Sequence, residues 1–197
     1  MAYPTVSAPY GLLPINLIGG QVFAGATRQI PITSASATAI YYGDVVKLIS
    51  DGTLEKDTGT DAATPVGVFL GCTYTDATYG LTFRQYYPGN VTASDIQAYV
   101  QDDPDALFKV AVVSSGTTIG GVTRTAVGNN AVLVQNSGST TTGDSGVAVS
   151  ATTNTTSTWP VRVIDVIPAT ANSSGSYTEV VVKWNAGMHQ YTNPTGV

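Results

Sequence analysis

Several residue types are scarce in this chain, and each scarcity closes off a class of function. Its 197 residues include one cysteine and one histidine. Cys72 cannot staple the chain to itself, and a zinc site of the usual Cys/His spacing is excluded. Cys72 lies in an apolar run, which predicts a buried, inert thiol. Charge is low as well: Asp, Glu, Lys and Arg make up 11% of residues, against an average of roughly 25%. The eight Lys and Arg are scattered and the net charge is −5. A nucleic-acid binder needs a basic stripe to neutralise phosphates, so no nucleic-acid partner is expected. No apolar run approaches the ~18 residues of a membrane span, so no membrane partner is expected either. The opening Met1-Ala2-Tyr3-Pro4 has neither a positive nor an apolar leader segment. A protein made and kept in the cytosol, or assembled there into something larger, is the expectation. No convincing amphipathic helix of about ten residues occurs.

What the chain does contain is short β-branched runs, Gly/Pro punctuation and many Ser and Thr. Hydrophobic residues are 43%, with 21 Gly and 10 Pro, enough for a core but not for long helices. The most legible stretch runs from Tyr42 to Tyr74. Val45 to Ile49 reads as a strand, Asp51-Gly52 as a tight turn in which Gly supplies φ > 0, Thr53 to Lys56 as the returning strand and Val66 to Tyr74 as a third. That pattern predicts a β-meander, with acidic loops at Asp51-Gly52 and Asp57 to Asp61 facing outward. Leu81 to Tyr87, Ile96 to Val100 and Leu107 to Val113 extend the series of strands. Pro104 could open one helical turn in the acidic break before Leu107.

Residues 1–38 behave differently. Pro4, Pro9, Pro14 and Pro31 forbid a sustained helix, yet Tyr10, Leu12, Leu13, Ile15, Leu17, Ile18, Val22 and Phe23 are too apolar for a solvated tail. Two readings stay open: a segment packed on the protein's own core, or an arm laid on another subunit by edge pairing. Residues 114–158 are rich in Ser, Thr and Gly with strand-sized islands, Ala131 to Val134 and Gly146 to Val149. Trp159 to Ile167 and Tyr177 to Trp184 predict a closing hairpin. The expected architecture is all-β, short antiparallel strands forming a β-barrel or β-sandwich with an extended N-terminal arm. Its expected parts are an arm at 1–38, a β-barrel or meander domain at 39–113 and a second β lobe with long loops at 114–197.

The chemical motifs are weak. Gly143-Asp144-Ser145-Gly146 matches the nucleophile motif of chymotrypsin-like proteases. In that family the His and Asp precede the Ser, whereas His189 follows it here, and the next residue is Val147 where Gly is usual. A turn in a Ser/Gly-rich loop is the simpler reading. Asp102, Asp103 and Asp105 form the densest carboxylate group, but an EF-hand counted from Asp102 would place Leu107 and Val113 where Gly and Glu are needed. Asp51, Glu55, Asp57 and Asp61 single out no glycosidase pair. The three Asn-x-Ser/Thr sequences, at Asn90, Asn154 and Asn172, are read as chance in a Thr/Ser-rich chain. The tyrosines, among them Tyr41-Tyr42, Tyr74, Tyr79, Tyr86-Tyr87 and Tyr99, suit a contact surface, but they suit β-sheets generally, and that simpler reading comes first. Neither an enzyme, a cofactor nor a metal is expected.

Gly43-Asp44-Val45-Val46-Lys47-Leu48, Asp51-Gly52-Thr53-Leu54 and Pro65-Val66-Gly67-Val68-Phe69-Leu70-Gly71-Cys72 together resemble the β-meander of capsid decoration (cement) proteins of tailed bacteriophages. The opening Pro9 to Gly20 and the ending Val182-Lys183-Trp184-Asn185 to Tyr191 look like structural proteins of phages infecting cyanobacteria and other aquatic bacteria. The resemblance implies a virion protein on the outside of an icosahedral head, often a homotrimer, with the major capsid protein as partner. It also implies partner contacts through the apolar opening, Tyr10 to Phe23. A head-fibre or tail-associated β protein, a carbohydrate-binding β-sandwich and, third, a hydrolase are the alternatives.

Overall fold

The computed structural model describes residues 6–197. The opening Met1-Ala2-Tyr3-Pro4, read above for a leader segment, lies outside the described residues. Thirteen strands and two single-turn 3₁₀ segments make up the regular structure among them, so the fold is all-β, with a closed five-stranded barrel and a second antiparallel sheet.

The barrel forms from the C-terminal half. Its strands are β8 (Ala106–Ser115), β10 (Asn130–Val134), β11 (Ala148–Asn154), β12 (Val161–Val166) and β13 (Glu179–Trp184). β8 pairs β11, β11 pairs β10, β10 pairs β12, β12 pairs β13, and β13 returns to β8. Four of these pairings are antiparallel. The β8–β11 closure is parallel, Val112 opposite Val149, a departure from the all-antiparallel expectation. Such a narrow barrel is filled by side chains. Phe108, Val110, Val112, Leu133, Val163 and Val182 are buried there, and the Phe108 and Trp184 rings meet at 5.1 Å.

The second sheet holds β2 (Arg28–Pro31), β7 (Gln97–Gln101), β5 (Gly67–Asp76), β3 (Val45–Leu48) and β4 (Leu54–Lys56) in that order, with β6 (Gly80–Arg84) also on β5. The strands expected between Tyr42 and Tyr74 are all present, but their order is not that of a meander. β5 pairs β3, not β4. The connection after β4 must therefore pass back across the hairpin, and Asp57 holds it there. Asp57 is buried and accepts from the Gly59 N–H at 2.9 Å and the Thr64 N–H at 2.9 Å. It is an internal brace, contrary to the expected outward acidic loop, whereas Asp51 and Asp61 are exposed.

The expected parts also divide differently. β8 belongs to the barrel, so the boundary at 113 falls inside a barrel strand. Within 1–38, β1 (Leu13–Leu17) pairs β8 and β2 pairs β7, so the expected arm is anchored at two points, one in each sheet of its own chain. The tail ties back too. Gln190 accepts from the Leu48 N–H at 2.7 Å and donates to the Leu48 carbonyl at 3.0 Å, like one rung of a ladder. No helical turn forms at Pro104, where the chain makes only a turn.

Candidate interaction surface

The joint between barrel and sheet explains two of the motifs together. Gly43-Asp44 from the sheet meets Gly143-Asp144-Ser145 from the barrel. Tyr42 donates its N–H to the Gly143 carbonyl at 3.0 Å, and Ser145 donates its N–H to the Tyr42 carbonyl at 2.9 Å. Asp44 is wholly buried. It accepts from the Ser145 hydroxyl at 2.6 Å, the Lys56 ammonium at 3.0 Å and the Tyr41 N–H at 2.8 Å. Gly11 closes the third side, with φ +86 and no room for a side chain. A Cβ there would lie 2.7 Å from both the Gly43 carbonyl oxygen and the Ser145 Cβ.

This geometry assigns Ser145 a structural task. Its proton goes to Asp44, and its oxygen accepts the Val147 N–H at 3.0 Å. His189 makes no hydrogen bond to Ser145. It is buried between Trp184 and Tyr191, with ring centroids at 6.4 and 5.2 Å. Its Nδ1 accepts from the Tyr191 N–H at 3.2 Å, and burial pushes its pKa below the ordinary 6.5. Its Nε2 and the indole Nε1 of Trp184 are buried without a partner among the described residues. Cys72 is buried with its thiol pushed up to about 12, above all by desolvation. Among the described residues no three His, Cys, Asp or Glu side chains gather as metal ligands. Asp102 pairs with Arg28 and accepts from the Tyr191 hydroxyl at 2.9 Å. Asp105 pairs with Lys183 at 3.1 Å.

The expected contact residues separate into two groups. Leu12 is fully buried in the barrel core, a correction to its reading as a contact, because the glycine before it lets it enter the joint. Tyr10 is half-buried, donates its hydroxyl to Glu179 and carries the Lys109 ammonium 5.3 Å from its ring centre. Leu13, Ile15 and Leu17 sit on β1, partly buried. Only the turn after β1 stays open, with Ile18 50% and Val22 75% exposed. Val22 and Phe23 line a groove of about 760 Å³ together with Leu17, Arg28, Asp102 and Tyr191. The Arg28 guanidinium lies 5.6 Å from the Tyr191 ring centre.

A second apolar surface includes one tyrosine read from sequence as suited to contact, Tyr79, beside Leu81 and Phe83, which sequence did not mark. Tyr79, Leu81 and Phe83 are 78%, 78% and 66% exposed, on and just before β6. The alternation of Leu81-Thr82-Phe83 marks a strand, but period two alone does not tell which face meets water. The chain matches no family model, no curated protein and no solved structure.

Proposed function

We propose that this chain is a structural virion protein that binds the outside of an icosahedral phage head and links neighbouring capsomers, with the major capsid protein as partner and a homotrimer as its working form. One contrast carries the reading. The serine of the nucleophile-like motif is engaged inside the fold by Asp44 and Val147, while large apolar side chains stand exposed around Ile18 and Val22 and along β6. Exposed apolar groups collected in patches mark surfaces that dock. Low charge and abundant Ser and Thr suit a component repeated many times on one shell. At roughly 25 cal/mol per Å² of apolar area, less the cost of association, many small contacts add up to resistance against rupture.

Co-sedimentation with expanded heads tests the proposal. Ile18→Glu with Val22→Glu should remove binding while leaving the thermal melt unchanged, since both side chains are exposed. Full occupancy by that variant would refute the docking role of the turn. Deleting the first twenty or so residues is the poorer test, because it also removes Leu12 and β1 from the fold. The carbohydrate-binding reading has the groove beside Tyr191 in its favour, but Arg28 already occupies a face of that ring. A specific, saturable glycan-array signal would restore it.

A further inference from the structure

The outer edge of β6 carries an inference that does not depend on the capsid proposal. β6 pairs β5 along one edge, from Cys72–Arg84 to Asp76–Gly80, and among the described residues no strand pairs its other edge. An open edge with exposed apolar side chains is a template for another strand. Natural edges are usually blunted with Lys, Pro or an inward charge; Gly80-Leu81-Thr82-Phe83-Arg84 has no Lys or Pro, and its one charge, Arg84, has its Nε buried at the end of the strand, leaving Leu81 to Phe83 unguarded. Arg84 is only partly exposed.

We propose that β6 pairs antiparallel with β6 of a second copy of this chain, about a two-fold axis through Thr82. The strand is self-complementary in that register. Thr82 faces Thr82 of the second copy, Leu81 faces Phe83 twice, and Arg84 faces Gly80 twice. Apolar meets apolar on the face where Leu81 and Phe83 are exposed, Thr meets Thr on the other, and no two like charges are opposed. An isologous contact needs this property, because each residue i that meets j must also find j meeting i. A one-residue slip would put Leu81 against Thr82 and lose both apolar pairs. Phe83 is already braced from its own sheet by Tyr99, with ring centroids at 5.8 Å, so it enters the contact with little freedom left to lose. Covering a few side chains and one edge falls short of the ~800 Å² per partner of a standard interface. The pairing is therefore weak in dilute solution and fills where copies are concentrated.

The chain offers a clean assay, because its single cysteine is buried and its thiol is unreactive at neutral pH. Directly opposed residues of antiparallel strands have Cα atoms about 4.5–5.5 Å apart, inside the ~4.4–6.8 Å that a disulfide spans. Full-length protein carrying Thr82→Cys is treated at high concentration with diamide, which takes up the two electrons and two protons released as two thiols join. The comparison protein carries Ser174→Cys, in an exposed turn remote in sequence from β6. Thr82→Cys should give covalent dimer at least about tenfold faster, as expected when pairing raises the local thiol concentration. Adding Leu81→Lys and Phe83→Lys should return it to the Ser174→Cys rate, with the melt lowered only by the loss of the Phe83–Tyr99 contact. Equal rates for the two single-cysteine proteins, or a Thr82→Cys rate insensitive to the added lysines, would overturn the proposal. Either failure would leave head binding by the β1–β2 turn unaffected, so the two ideas are separately refutable.

Discussion

The joint centred on Asp44 should be the most mutation-sensitive polar site in the molecule. Its carboxylate is fully buried and holds three donors from three different parts of the chain. Asp44→Ala would leave the Lys56 ammonium, whose side chain is only 10% exposed, without its partner, and the Ser145 hydroxyl and Tyr41 N–H without an acceptor. Breaking a buried pair from one side costs about 3–5 kcal/mol, out of a total stability of roughly 5–15 kcal/mol. Ser145→Ala removes one hydrogen bond to a charged group, worth about 1.5–3 kcal/mol, and deprives the Val147 N–H of its acceptor. For a chain of this length, 1 kcal/mol moves the melting temperature by roughly 2–4 °C, so Ser145→Ala should lower it by roughly 3–12 °C. Because Ser145 and Asp44 act on each other, the double variant should be less destabilised than the sum of the singles, by about 0.5–3 kcal/mol. Differential scanning calorimetry or urea unfolding of the four proteins measures this. A Ser145→Ala protein within about 0.5 kcal/mol of the parent, or strict additivity with Asp44→Ala, would refute the assignment of Ser145 to the joint. Labelling of the parent by a fluorophosphonate probe would refute it from the chemical side, since a serine committed to Asp44 and Val147 is not a nucleophile.

Other consequences follow from burial. Leu12→Ala should cost about 2–5 kcal/mol in chemical denaturation, whereas Val22→Ala should stay within about 0.5 kcal/mol; equal effects would contradict the division of the opening segment. Cys72 has a folded pKa of about 12 against an ordinary 9.0. The unfolded thiol therefore loses its proton first, and its contribution to stability, complete below pH 9, falls as pH rises towards 12; Cys72→Ala should flatten that alkaline decline. His189 has the opposite sign, because its folded pKa lies below 6.5. The unfolded imidazole takes up a proton first, so this contribution is present above pH 6.5 and is lost as pH falls through the folded value. Urea midpoints measured down the acid side should drop more steeply for the parent than for His189→Phe, and parallel curves would show that His189 titrates freely.

The strands were legible because their cause is local. Val45-Val46, Val112-Val113 and Val180 to Val182 are β-branched runs, and Val161 and Val163 flank an exposed Arg162 at period two; both patterns fit a pleated surface, and Gly or Pro stops most of them. Their partners were not legible. Thr53 to Lys56 turns back on β3 through Asp51-Gly52, as the turn chemistry dictates, but nothing in the next ten residues states that β5 will return to the far side of β3. That outcome rests on Asp57 reaching the Gly59 and Thr64 amides, a carboxylate whose sequence context looks solvated. The barrel is hidden for the same reason. Its closing pair, Val112 with Val149, joins strands separated by a Ser/Thr/Gly stretch that reads as short strands between long loops and does not state their partners.

The surface shows the same limit from the other side. An apolar, proline-punctuated opening signals burial against something, but composition does not say whether that something is this chain or a neighbour. Leu12 goes inward because Gly11 can adopt φ +86 where the backbones of three segments touch. Val22, ten residues later in a turn between two sheets, has no such partner and stays out. The Gly-Asp doublets at 43–44 and 143–144 were the one available hint, since both glycines have positive φ, +89 and +80, and Gly43 lies against the backbone of Tyr10 to Leu12. A motif that looked like a nucleophile and one that looked like a strand start are the two halves of a single joint. Docking is thereby left to the elements that this joint does not consume, the β1–β2 turn and the open edge of β6.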